Sequence, residues 1–314
     1  TNEKHLTSPK LFNILKFLSK PKNRTYENVI LEASSHALDQ ERFKGIKFNT
    51  SGFTNLSRDH FDYHKNINNY FEAKLKLFSK NLSDKFVYFD SEWGNKIEEK
   101  SVIPSFKIGN NNDSNLRILG EKLFPNINLK IQINEVKHDI NLNVTGPKFN
   151  LNFLLALSMA HFSEKLNIEN YEDNFQNIQN PKGRFEMLSY KSNKIVIDYA
   201  HTPDAIKTTV EFVTQYFSNV IVVFGAGGDR DTEKRLLMGN ATKNADKIII
   251  TNDNPRYEDP EKIANDILEG CDKEKTLVIL DRKEAITYGI NQLKDNSVLL
   301  VLGKGHEMYQ EIKN

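Results

Sequence analysis

Five short stretches and one lysine hold the side chains able to do chemistry in this 314-residue chain. The first, Glu32-Ala33-Ser34-Ser35-His36, ends an apolar run, where a carboxylate would emerge at a sheet rim. Ser34 and Ser35 are also good helix N-caps, and capping is the plainer reading of that stretch alone. The second, Asn55-Leu56-Ser57-Arg58-Asp59-His60-Phe61-Asp62-Tyr63-His64, crowds two carboxylates and two imidazoles behind an expected strand. Imidazole and carboxylate together suit a divalent cation, although a solvated loop fits as well. The spacing matches no zinc finger, and one cysteine excludes a multi-thiolate site. Lys74 follows with Leu75, Leu77 and Phe78 beside it, where a lysine ordinarily snorkels its ammonium to water.

The other three stretches lie in the second half. Gly225-Ala226-Gly227-Gly228-Asp229-Arg230-Asp231 sits between an apolar strand and a helix. Gly-rich turns there let backbone amides approach an anion, and Arg230 and Arg235 could pair with a carboxylate or phosphate. It is not a dinucleotide fingerprint, because Arg230 stands where the third glycine belongs. Thr251-Asn252-Asp253-Asn254-Pro255-Arg256 reads as an Asx turn stiffened by Pro255, and also as a mount for a carboxylate-binding Arg256. Gly303-Lys304-Gly305-His306-Glu307 closes a strand as either a structural turn or a binding loop.

The elements that must position these groups alternate between β-rich and helical periodicity. Strands are expected over 28–33, 46–53 and 86–89, with a helix over 68–80. Between 116 and 144 apolar and polar residues alternate, as in antiparallel strands with one wet face, before a helix over 149–162. The polar stretch 177–183 reads as a linker. Beyond it, strands over 194–197, 220–224, 247–251, 276–280 and 298–302 alternate with helices over 203–217, 234–245, 260–269 and 282–293. The fold class is therefore α/β, with two parallel-sheet, Rossmann-like domains over 1–181 and 182–314 and a small antiparallel region in the first. Ligands in such sheets collect at the carboxyl ends of the strands, where the polar motifs fall.

Composition narrows the classes. Hydrophobic residues at 38% and charged residues at 27% describe a globular chain of about two domains. Forty-three Lys and Arg against 42 Asp and Glu leave +1, which argues against a nucleic-acid-wrapping protein but not against a phosphorylated ligand. No apolar run approaches the ~18 residues of a membrane span, and Thr1–Lys10 lacks a signal-peptide core. The single Cys271 suits a reducing cytoplasm.

Taken together, the segments EASSHALDQER, FTNLSRDHFDYH, YFEAK, GRFEML, DYAHTPDAI, FGAGGDRD, TNDNPRYEDP and LGKGHEMYQ resemble the Mur ligase family of peptidoglycan synthesis. They run in the family's order from Glu32 to Gln310. The nearest likeness is to the branch that adds meso-diaminopimelate to UDP-N-acetylmuramoyl-L-alanyl-D-glutamate. The resemblance implies an ATP-dependent ligase that phosphorylates the D-glutamyl γ-carboxylate and lets the diaminopimelate amine attack the acyl phosphate. It implies Glu32, His60 and Lys74 as catalytic magnesium ligands for two Mg²⁺ ions, with Lys74 carbamylated; Lys74 lies fourteen residues after His60, the family spacing. Thr7, Ser8, Ser34, Gln40 and Arg42 resemble the positions that hold the UDP-muramoyl dipeptide. Asn152, Arg184, Asp198 and His201 resemble residues around the nucleotide. Arg230, Asp253, Asn254, Pro255, Arg256, Gly303 and Glu307 resemble the diaminopimelate pocket, with Arg256 taking the far carboxylate and Glu307 the ammonium. The implied partners are these small molecules only, without nucleic acid or membrane, for a cytoplasmic monomer.

The chain departs from the family in two ways. It contains no G-x-x-x-x-G-K-[ST] phosphate loop, and the family's amino-terminal UDP-binding domain has no counterpart. The expectation is a fragment, an incomplete ATPase domain followed by most of the carboxyl-terminal domain, not competent for ligation by itself. Phe149 also occupies a position often taken by asparagine, which touches the adenine contacts. Two rival readings are a non-catalytic nucleotide- or peptide-binding module and a folylpolyglutamate synthetase-like ligase, which the DNPR and NLSRDH segments fit poorly. A nicotinamide oxidoreductase rests only on the parallel sheet.

Overall fold

The computed structural model describes residues 7–21, 25–163 and 167–312. It resolves into two compact units. One comprises Thr1–Glu121, Asn128–Ile140 and Asn150–Asn174; the other comprises Lys122–Ile127, Asn141–Phe149 and Phe175–Asn314.

The first half of the chain carries α1 (Leu11–Ser19), α2 (Ser35–Asp39), β1 (Phe48–Gly52), α3 (Phe61–His64) and α4 (Ile67–Leu75). A 3₁₀ turn over Lys76–Phe78 continues α4. There follow β2 (Ser83–Phe89), α5 (Glu92–Lys100), β3 (Ser105–Gly109), β4 (Leu116–Lys122), β5 (Ile127–Ile133), β6 (Val136–Leu142) and α6 (Phe149–Phe162). The six strands form one sheet in sequential order, β1 to β4 running parallel. β5 and β6 alternate buried with wetter residues and are joined by Asn134 and Glu135, both left-handed, as a two-residue hairpin requires. The core joins Phe43, Phe53, Tyr70, Phe71, Phe78 and Phe86.

One expected strand is absent. Residues 28–33 run without a partnering strand and leave Ile30 92% exposed. β propensity alone does not make a strand; a ladder partner does. Conversely, α1, α5 and β3 lie where no element was expected, although Leu11, Ile14, Leu15 and Leu18 recur at helical spacing in α1. In α5 only Gly94 and Ile97 are buried, with Trp93 half-buried and the other neighbours charged or polar, a sparse stripe to read.

The second half carries β7 (Glu186–Tyr190), β8 (Asn193–Asp198), α7 (Pro203–Val213), β9 (Asn219–Phe224), α8 (Glu233–Asn240), β10 (Lys247–Ile250), α9 (Pro260–Leu268), β11 (Thr276–Val278), α10 (Arg282–Asn291) and β12 (Ser297–Leu302). Their order in the sheet is β11-β10-β9-β12-β8-β7, parallel except for the edge strand β7. Val220, Val222 and Phe224 of β9 join one core and Ile221 and Val223 another, so both faces are covered. The mostly parallel α/β architecture expected from the sequence is present, with β7 an addition inside the GRFEML segment. Among the described residues no helix is long and apolar enough to cross a membrane.

Candidate functional site

Each unit gathers its own set of expected residues. In the first, the fully buried Ser8 hydroxyl donates to the Glu32 carbonyl at 2.6 Å and accepts the Ser34 amide at 2.9 Å. Ser34 Oγ accepts the Ala37 amide at 3.3 Å, so this serine caps α2. Arg42 donates from Nη1 to the Ser8 carbonyl at 2.9 Å and from Nε to Gln40 Oε1 at 3.0 Å. Ser8, Ser34, Gln40 and Arg42 thus form one network around the Glu32 backbone, with exposed Thr7 next to it in the chain.

The Asp59–His64 stretch does not fold as a four-ligand cation loop. His64 is buried, Nε2 lies 2.9 Å from Ser35 Oγ, and its ring stacks on Tyr70 at 5.1 Å; Asp62 is exposed. Among the described residues no three His, Cys, Asp or Glu side chains converge on a metal position. His60 is half-buried beside Asp59, His36 and Tyr70. Its backbone is left-handed (φ 56°), Nε2 lies 3.5 Å from Asp59 Oδ2, and its ring meets His36 edge-on at 4.9 Å. Burial lowers the pKa of His36 and of His64, and neighbouring imidazoles add to it.

Lys74 does not snorkel to water. Its Nζ lies 5.1 Å from the Tyr70 ring centre, and burial pulls its pKa down against the opposing pull of Glu32 and Asp59. Desolvation favours the neutral, nucleophilic amine, while the two carboxylates favour the ammonium. A carbamate on Nζ would be an oxygen donor of the kind a hard divalent cation takes, as is a carboxylate such as that of Glu32, and an imidazole such as that of His60 can join them. Burial also pushes the Tyr70 phenol up to about 12.

In the second unit the expected residues sit at carboxyl ends of strands. Asp198, ending β8, accepts the Phe185 amide at 2.6 Å and the Ala200 amide at 2.8 Å. Burial raises its pKa despite those bonds. Arg184 lies over the Tyr199 ring at 4.1 Å, and His201 packs against the same ring at 4.8 Å. Arg184, Asp198 and His201 are therefore neighbours around Tyr199, whereas Asn152 is exposed on α6 in the other unit.

Several of the residues expected at the amino-acid pocket lie together in the segments that follow β10 and β12. Lys304 is 7% exposed and donates to Asn254 Oδ1 and Glu307 Oε2, both at 3.0 Å, with Asp253 Oδ1 at 3.8 Å. Arg256 adopts φ 55° after Pro255, donating from Nε to Glu311 Oε2 at 3.0 Å and from Nη1 to the Gly228 carbonyl at 2.6 Å. Gly303, at φ 104°, lies so close that a Cβ there would stand 2.7 Å from Asp253 Oδ2. Arg230 is exposed on the glycine-rich loop. Arg235 is no ligand partner. It is fully buried, pairing with Asp266 at 2.8 Å and Glu258 at 2.9 Å beneath that loop.

Sequence profiles match this arrangement over most of its length. The Mur ligase middle domain matches residues 1–160, and the Mur ligase glutamate ligase domain matches residues 183–305. The chain belongs to the Mur ligase family. It is 39% identical over 297 residues to a UDP-N-acetylmuramoyl-L-alanyl-D-glutamate–2,6-diaminopimelate ligase of Aquifex aeolicus, covering 91% of this chain and 60% of that protein. A solved structure of a ligase of the same name aligns with TM-score 0.58 at 31% identity over 90% of this chain and 60% of the other. The folylpolyglutamate synthase of Mycobacterium tuberculosis, complexed with ADP and AMPPCP, aligns with TM-score 0.63 at 18% identity over 82% of this chain and 61% of the other, a likeness of fold alone. The chain thus spans about 60% of the length of these relatives.

Three functional candidates of this Mur ligase chain escaped sequence reasoning. Lys304 had been seen only as part of a turn motif, yet its ammonium joins Asn254 to Glu307. Arg282 ties the carboxyl ends of two strands, donating to the Asn252 and Leu302 carbonyls at 3.1 and 2.6 Å. Glu311, beyond the last motif, meets Arg256. Only the lysine, flanked by glycines at a strand end, carried a signal.

Proposed function

We propose that the protein carrying this chain is an ATP-dependent ligase that joins meso-diaminopimelate to the D-glutamyl γ-carboxylate of UDP-N-acetylmuramoyl-L-alanyl-D-glutamate, as a monomer in the cytoplasm. The observation that carries the reading is Arg256, held on a left-handed turn beside Asn254, which Lys304 ties to Glu307, with Asp253 at 3.8 Å from the same ammonium. A guanidinium so placed suits the second carboxylate that distinguishes diaminopimelate from lysine. Glu307 would accept the neighbouring ammonium by exchanging its bond with Lys304. The names of the relatives at 31–39% identity support the same substrate.

In this reading residues 1–181 serve the cation and phosphoryl chemistry and residues 182–314 seat the incoming amino acid. Ser8, Ser34, Gln40 and Arg42, with Thr7, would hold the UDP-linked dipeptide. Arg184, Asp198 and His201 would attend the nucleotide, which for a Mur ligase is ATP, the phosphoryl donor. Glu32, His60 and carbamylated Lys74 would hold magnesium, which when bound screens the phosphate charges during transfer. Burial lowers the pKa of Lys74 and so eases loss of the ammonium proton, after which Nζ would bond to CO₂ carbon and a second proton would leave to give the carbamate. The carboxylate gains a phosphoryl group from ATP, and the diaminopimelate amine then displaces phosphate, losing a proton as the amide forms.

The test uses the full-length protein with ATP and the UDP-linked dipeptide, comparing meso-diaminopimelate with L-lysine as acceptor. Phosphate release should be strongly preferred with diaminopimelate. Arg256→Lys should reduce kcat/KM for it by about 10- to 100-fold, the loss expected when a charged bidentate contact becomes a point contact. Equal use of both amino acids would refute the reading.

A further inference from the structure

Arg256 reaches its place through a partner that no motif announces. Of the five N–H groups of its guanidinium, the Nε one goes to Glu311 and one on Nη1 goes to the Gly228 carbonyl. What is left for an incoming carboxylate lies on Nη1 and Nη2. The Glu311 side is itself fixed. Its amide donates to Asn254 Oδ1 at 2.8 Å, its carbonyl accepts the Arg256 amide at 3.0 Å, and Ile312 bridges Arg256 in parallel register. Gln310 adds bonds to the Asn252 and Asp253 carbonyls at 3.2 and 3.0 Å. Asn254 Oδ1 is shared, since it also accepts from Lys304, the partner of Glu307. The opposite wall is equally rigid: a Cβ at Gly228 would stand 1.9 Å from the Pro255 carbonyl.

We propose that Glu311 is a positioning residue for amino-acid selection, holding the Arg256 guanidinium by Nε so that its Nη nitrogens meet the far carboxylate of a diamino diacid. The inference rests on the proposed ligase reading and deepens it. A free arginine would lose rotamer freedom on meeting its ligand; one already held by a tethered carboxylate does not, and the saving falls on binding. It also falls only on ligands bearing a second carboxylate. The two backbone bonds of Glu311, with those that Gln310 makes beside it, argue against this segment being a plug that leaves when substrate arrives.

The experiment takes the full-length enzyme and two near-isosteric variants, Glu311→Met, which removes the acceptor, and Glu311→Gln, which keeps an oxygen facing Nε. With the wild type first shown to use meso-diaminopimelate, E311M should raise its KM about tenfold with kcat within about threefold, while E311Q stays within about threefold of wild type. The inhibition constant of L-lysine, which has no far carboxylate, should not move. An unchanged KM in E311M, an equal weakening of both amino acids, or a loss confined to kcat overturns the proposal. A lowered KM overturns it too, by showing Glu311 to be a competitor. Should E311M not fold, Glu311→Asp reads the same point, because its shorter arm withdraws the acceptor; a tenfold rise in KM supports the role and an unchanged KM removes it. Failure of the wild type to use diaminopimelate would instead sink the underlying reading.

Discussion

At the residue scale, burial sets which side chains ionise. Tyr70 and Tyr88 are both pushed up to about 12 by burial, against about 10 for an ordinary phenol. Because the folded values are raised, the neutral phenols favour the folded state. Their contribution is complete below pH ~10 and is lost as pH rises toward 12. An alkaline titration followed by tyrosinate absorbance should show a late phase that includes Tyr70 and Tyr88, and Tyr70→Phe should remove part of it. A single early transition for all tyrosines would contradict the burial. Lys74 shows the limit of reading residues singly: on a helix face it reads as a snorkelling lysine, whereas in the fold burial pulls its pKa down while Glu32 and Asp59 oppose it. Glu32 lies 42 positions away in sequence, so no local window could contain that environment.

At the element scale, the glycine-rich loop between β9 and α8 owes its shape to a side chain beneath it. Arg235 is fully buried, yet Glu258 and Asp266 keep some access to water. Removing the cation strands two carboxylates that can partly rehydrate, so Arg235→Met should cost about 3 kcal/mol, the low end for breaking a buried pair. Urea denaturation reads this directly, and a change under about 1 kcal/mol would show the network to be dispensable. Spacing suggested Arg235 as an anion partner because sequence shows charge but not depth. The helices were more legible. Thr202 caps α7 with Pro203 following it, and Asp259 caps α9 with Pro260 following it, local signals that survive in any tertiary setting. Edge strand β7 was not legible, since its half-exposed EMLSY has no continuous apolar run.

At the scale of the whole molecule, the second sheet grades from centre to edge. β9 and β12 are buried along nearly their whole length, while β11 is mostly exposed and β7 pairs only with β8. Amide hydrogens of β9 and β12 should therefore exchange slowest in that unit, through near-global unfolding, and those of β11 should exchange first. Uniform exchange across the four strands would argue against this gradient. Sequence by itself determined the α/β alternation, the strand-end location of the polar motifs and the family, because periodicity, caps and motif order are properties of neighbours along the chain. Tertiary structure alone decided that residues 28–33 lack a strand partner, that His64 turns inward, that Arg235 is a buried brace, and that Glu311 grips Arg256 from 55 residues away. Each of those depends on what packs against a side chain, and desolvation and distance are set by contacts that no stretch of sequence encodes locally.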